Sequence, residues 1–146
     1  MSHFLLVTLH LLCAMIFVGT VFFEIFILDD LRSSLSRDEM RKVAIEVGRR
    51  LRRLMPFVLA ILYSAGIAMA WGYRDVLARP FESSFATMLS LKILLAISVF
   101  FHFIVAVTLG ARGRLRAKAL RYIHGSVLIH VLSIVILAKA MFAFAS

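Results

Sequence analysis

The chain has almost no cysteine. One residue, Cys13, excludes an intrachain disulfide and any cysteine-rich metal site. Charge is scarce as well, 17% of residues against 62% hydrophobic, and mean hydropathy is +0.97. In 146 residues a soluble core cannot bury that apolar share, whereas a bilayer can. A long polar segment that might form a separate domain is also missing. The length allows a single domain, and no low-complexity tract or internal repeat is evident in it.

Four apolar runs remain: Phe4–Leu28, Leu54–Tyr73, Ala86–Gly110 and Tyr122–Ala145. Each is roughly 20–25 residues, the length a helix needs to cross the hydrocarbon layer. The first lacks a basic leader and a small-residue cleavage pattern before Glu24, so it reads as a retained helix and not a signal peptide. The expected fold is all-α, an integral membrane antiparallel four-helix bundle occupying residues 1–146, and dimeric.

Acidic residues number only eight, which leaves a net charge of +9. The excess is unevenly placed. Of 17 Lys and Arg, eight lie in Asp29–Arg53 and five in Ala111–Arg121, while Arg74–Phe85 holds only Arg74 and Arg79. This is the asymmetry of positive-inside topology, not a nucleic-acid footprint. It puts the first and third links in the cytoplasm and both termini outside a bacterial-type inner membrane. Anionic lipid head groups are the expected partners of the basic links.

Along the chain, His10, Cys13, Phe17 and Glu24 share one face of the first run when stepped at about 100° per residue. Ser36 with Glu39 three residues on is a capping-box pattern, so a helix is expected over about 37–53. It is either an interfacial helix or an extension of the second span. Pro56 then reads as a first-turn residue of that span. Tyr63, Gly66, Ala70 and Tyr73 form a stripe whose small members permit close helix contact. Trp71 and Tyr73 suit an outer aromatic belt.

Ionisable side chains inside a bilayer are costly and mark a site by default. His102 in the third span and His130 in the fourth lie about eight and nine residues from the cytoplasmic ends, hence at nearly one depth. Two imidazoles at one level on neighbouring antiparallel helices can hold a b-type haem by both axial positions, so the leading expectation is a haem protein for electron transfer or a coupled membrane oxidation. Ser98 lies one turn from His102, and Ser126 and Ser133 flank His130 as candidate partners. A second layer, about six residues from the outer ends, contains His10, Met69, Lys92 and Lys139. The lysines there suit an anion or a haem propionate. Alternatively, His10, Cys13 and Met69 offer the soft ligands that suit Cu(I). A third reading has these polar groups only setting helix packing. Any enzymatic reaction would need a membrane-soluble substrate or a redox partner.

The run from His10 to Gly19, His-Leu-Leu-Cys-Ala-Met-Ile-Phe-Val-Gly, resembles the H-L-L-x-A-x-x-W-V-G opening of CopD-like copper-resistance membrane proteins, with Phe17 in place of Trp. Leu91-Lys92 followed by Phe101-His102 resembles the third span of the related HemJ-type protoporphyrinogen oxidases. Lys139 and Phe142 resemble the end of their fourth span. The resemblance implies a role for His10, Lys92 and His102, with the first-span histidine tied to haem binding and activity. The Pro-Arg that follows the first span in the HemJ-type enzymes is missing, as is their Asn-Glu-x-Pro-like opening of span four. The CopD-like group therefore fits better, and it implies copper transport or tolerance.

Overall fold

The structure is a computed structural model describing residues 2–113 and 117–143. Helix is the only regular structure among the described residues. Four helical stretches are long and apolar enough to cross a membrane, within His3–Ser34, Arg37–Trp71, Ser84–Ala111 and Lys118–Ala143, the signature of a multi-pass membrane protein. Large apolar side chains such as Phe4, Phe57, Trp71, Phe101 and Phe142 lie exposed on these helices. On a soluble surface that many would be a liability; against lipid they are at home. The chain divides after Gly72 into two compact units.

In the first unit α1 spans Ser2–Phe22 and runs into a π-helical turn, Phe23–Leu28, which holds the half-buried Glu24. The rings of Phe22 and Phe26 pack 4.7 Å apart across its start. An Arg32–Asp29 ion pair of 2.8 Å closes the turn that follows, and α2 is a single turn, Leu31–Ser34. The chain then enters α3, Arg37–Trp71, through a complete capping box. Glu39 N–H donates to Ser36 Oγ at 3.4 Å, and Ser36 N–H donates to Glu39 Oε2 at 3.0 Å. Orphan N–H groups at the helix start are satisfied in this way.

α3 decides between the two expectations for residues 37–53. It runs unbroken for 35 residues, so the basic stretch is an extension of the second span. At about 1.5 Å per residue the helix is about 52 Å long, well beyond the hydrocarbon thickness. This places Pro56 in the middle of a helix and not in a first turn, which corrects the sequence reading. Proline brings no N–H to the carbonyl of Arg52, a loss that water and head groups can offset only near the membrane edge. Cys13, Phe17 and Val21 of α1 and Met55, Val58, Leu59 and Ala65 of α3 are the buried residues of this unit.

In the second unit a single turn, α4 (Arg74–Leu77), leads to a loop held by an Arg79–Glu82 ion pair and by the Thr87 hydroxyl, which donates to Pro80 O at 2.8 Å. Ser83 caps α5, Ser84–Ala111, by accepting from Ala86 N–H. α6 spans Ala117–Ala143, so it begins five residues before the apolar run at Tyr122; the expected end at Ala145 lies outside the described residues. After α5, Gly113 takes φ +64°, a left-handed conformation that suits glycine at a helix stop. α5 and α6 pack as an antiparallel hairpin. Contacts between 85 and 142, 98 and 130, and 102 and 126 keep one register to within a residue. Ala86, Leu89 and Val99 of α5 and Val127, Val131 and Met141 of α6 are buried.

Candidate functional site

His102 and His130 are brought together. Their ring centroids lie 5.4 Å apart with the planes tilted by 53°. Each ring is tied to its own helix through Nδ1. His102 Nδ1 donates to Ser98 O at 2.8 Å, and His130 Nδ1 donates to Ser126 O at 2.7 Å. A carbonyl can only accept, so in both rings the Nδ1 carries a proton, and in the neutral form of each ring Nε2 keeps its lone pair. Each Nε2 then meets a hydroxyl on the other helix. Ser126 Oγ donates to His102 Nε2 at 3.1 Å, and Ser98 Oγ donates to His130 Nε2 at 3.2 Å.

The sequence behind this network is a five-residue pattern used twice, Ser98-Val-Phe-Phe-His102 and Ser126-Val-Leu-Ile-His130. Residues i and i+4 lie on one helical face, so each histidine can reach back to its serine's carbonyl. Antiparallel pairing then lays one copy against the other in reverse, which puts each serine hydroxyl beside the opposite imidazole. Val99 and Val127, at matching places in the two copies, are both buried. The chain thus does contain a short internal repeat, a correction to the sequence reading. Ser98 and Ser126 act across the interface through their hydroxyls as well as within the helix. Ser133 instead spends its hydroxyl on Ile129 O of its own helix, at 2.9 Å.

All four imidazole nitrogens have partners. A neutral ring held this way is the tautomer a metal ligand requires, with Nδ1–H pinned to a carbonyl and Nε2 available to coordinate once the hydroxyl turns away. Two imidazole nitrogens across one metal ion sit about 4 Å apart, which puts the ring centres at roughly 6 Å. With centroids 5.4 Å apart, the pair would take an ion between the rings only once both Nε2 atoms turn from their serines. It does not fit a macrocycle as packed, because α5 rests directly on α6 around the pair, and a porphyrin between the rings would require the helices to part.

The other candidates are more dispersed. His10 Nδ1 donates to Leu62 O on α3 at 2.9 Å, and its ring lies over Gly66. A Cβ at Gly66 would stand 3.2 Å from His10 Cε1, so the glycine makes room for the imidazole. Cys13, one turn further along α1, is buried, and Met69 on α3 is half-buried. Lys92 is half-buried on α5, while Lys139 on α6 is exposed. In the hairpin's register these two lysines differ by three residues, about 4.5 Å along the axis, and no bond joins them. Among the described residues no three His, Cys, Asp or Glu side chains converge as a metal-holding group.

No protein-family model matches the chain, and comparison with curated proteins and with solved structures finds no match.

Proposed function

We propose that the protein is a multi-pass membrane protein that binds a metal ion, with His102 and His130 as ligands through Nε2. The ion best suited to the pair is Cu(I), which accepts two-coordinate ligation and whose handling the CopD-like resemblance of the first span implies. The observation that carries this reading is that two adjacent imidazoles on helices of membrane-spanning length both have Nδ1 bound to a carbonyl. The rings also approach to 5.4 Å between centroids, near the separation a bridging ion would need. The four spans are taken as one antiparallel bundle with the basic links in the cytoplasm. His10, with Cys13 and Met69 nearby in sequence or on the facing helix, is the candidate for a second, softer Cu(I) position. In the haem reading His102 and His130 would be the axial ligands and Lys92 and Lys139 the propionate partners. That reading additionally requires α5 and α6 to separate.

One observation favours a second reading, a hairpin clamp without a ligand: every ring nitrogen of the pair already has a partner. The two are separated by Cu(I) titration of the detergent-purified protein against a chromophoric chelator, together with its absorption spectrum after dithionite reduction. Metal binding predicts one tightly held Cu(I) per chain that is lost in His102→Ala or His130→Ala and retained in Ser98→Ala/Ser126→Ala, because the serines must release the rings. No Cu(I) retained by the unaltered chain would overturn the proposal in favour of the clamp. A sharp reduced α-band would overturn it in favour of haem.

A further inference from the structure

α3 changes character between Arg53 and Leu54. Glu46, Arg49, Arg50 and Arg53 recur on one face at spacings of three and four, and Leu54 and Phe57 continue the same stripe into the apolar half. Together they line an open cavity of about 430 Å³. It lies roughly half a turn round α3 from Met55 and Leu59, which are buried. The stripe is therefore left to the helix's surroundings and not to the packing of its own unit.

Its polar part is organised. Glu46 accepts from Arg49 Nη2 at 2.7 Å and from Arg50 Nε at 3.2 Å, holding two guanidinium groups side by side. Arg53 adds a third and has no ion pair of its own among the described residues. With three arginines and one glutamate the group carries a net +2. Its level in the membrane matters equally. If hydrocarbon begins at Leu54, Arg53 stands about 1.5 Å outside it, inside a head-group layer of about 5–7.5 Å per leaflet, and Arg49 stands about 7.5 Å outside, at that layer's outer limit. Phe57, 68% exposed, lies about 4.5 Å inside, at the depth of acyl chains.

We propose that this stripe is a binding site for an anionic phospholipid. The arginines take the phosphodiester, and one acyl chain runs over Leu54 and Phe57. Guanidinium presents paired N–H donors that match phosphate oxygens, which a lysine cannot do. Glu46 positions Arg49 and Arg50 and lowers the local charge, so a singly charged head group such as phosphatidylglycerol suits the site better than a polyanion. This goes beyond general attraction to the basic links, because Arg41 and Lys42, exposed two to three turns away on the same helix, lie outside the cavity.

The test uses the full chain with Trp71→Phe, which removes its only tryptophan, and Phe57→Trp as a reporter. The protein is reconstituted in phosphatidylcholine vesicles containing a small fraction of phosphatidylglycerol. Bromine quencher is placed on the chains of one lipid or the other. Brominated phosphatidylglycerol should quench the introduced indole several-fold more per mole than brominated phosphatidylcholine. Arg49→Gln/Arg53→Gln should lower that preference by about fivefold or more, and Arg41→Gln/Lys42→Gln should leave it in place. Equal quenching by the two lipids overturns the proposal, and so does an equal loss in both double variants, which is the behaviour of diffuse surface charge. Should the reporter fail to reconstitute, mass spectrometry of the unaltered chain and the Arg49→Gln/Arg53→Gln form, counting retained phosphatidylglycerol, decides by the same pattern.

Discussion

Each histidine of the central pair is held by two serines: the carbonyl of one fixes Nδ1, and the hydroxyl of the other meets Nε2. Removing a hydroxyl leaves an imidazole nitrogen in apolar surroundings, so Ser98→Ala should cost about 0.6 kcal/mol, the mean for interhelical hydrogen bonds in membranes, and no more than about 1.7 kcal/mol. In a double-mutant cycle, Ser98→Ala and His130→Ala should couple, whereas Ser98→Ala and Thr87→Ala, eleven residues apart on α5, should not. Reversible denaturation in mixed micelles would provide the numbers, and additive losses for Ser98 and His130 would show that the bond between them contributes nothing. Gly66 allows a sharper single-residue test. A methyl there would press on His10 Cε1, so Gly66→Ala should move the imidazole off Leu62 O and change the His10 ring resonances. Unchanged ring signals would mean that the ring does not rest on this glycine.

At the scale of elements, α3 shows where local chemistry is legible and where it is not. Its start was readable, because Ser36 and Glu39 form a capping box with a definite spacing. Ser36→Ala should therefore speed amide exchange over the first turn, residues 37–40, at a cost of about 1 kcal/mol, while leaving the apolar half unaffected. Its continuity was not readable. A proline preceded by four arginines looks like a boundary, and nothing local reveals that a helix carries through it. Tertiary contact of Met55, Val58 and Leu59 with the rest of the unit holds the segment helical despite Pro56. Pro56→Ala restores an N–H for Arg52 O and touches no buried contact, so it should raise the thermal midpoint; a fall would mean that the proline sets a kink the packing requires. The α5–α6 network was half legible. That His102 and His130 meet across the hairpin follows from counting along two antiparallel helices. The expected equal depth does not hold: residue 102 faces 126 and residue 130 faces 98, an offset of about four residues or 6 Å that the side chains close by leaning toward each other. The cross-bonding of Ser98 and Ser126 does not follow from counting, because a five-residue repeat becomes visible only when one copy is laid against the reverse of the other.

For the molecule as a whole, hydropathy and charge together predict topology. The basic extension of α3 and the basic link after α5 should lie on one side of the membrane, and the α4 loop on the other. The physical cause is the cost of moving Arg49, Arg50, Arg52 and Arg53, or Arg112 and Lys118, across hydrocarbon during insertion, against only Arg74 and Arg79 in the α4 loop, of which Arg79 is paired to Glu82. Because Cys13 is the only cysteine and is buried, Cys13→Ala provides a clean background for single reporters. In intact cells a membrane-impermeant maleimide should label Glu82→Cys, and it should label Arg41→Cys and Arg112→Cys only after permeabilisation. Labelling of all three from outside would remove the charge argument and with it the assignment of the Arg49–Arg53 stripe to the inner leaflet. Labelling of Arg41→Cys and Arg112→Cys from opposite sides would break the even number of crossings between them and require one of the four apolar helices to lie along the membrane and not through it.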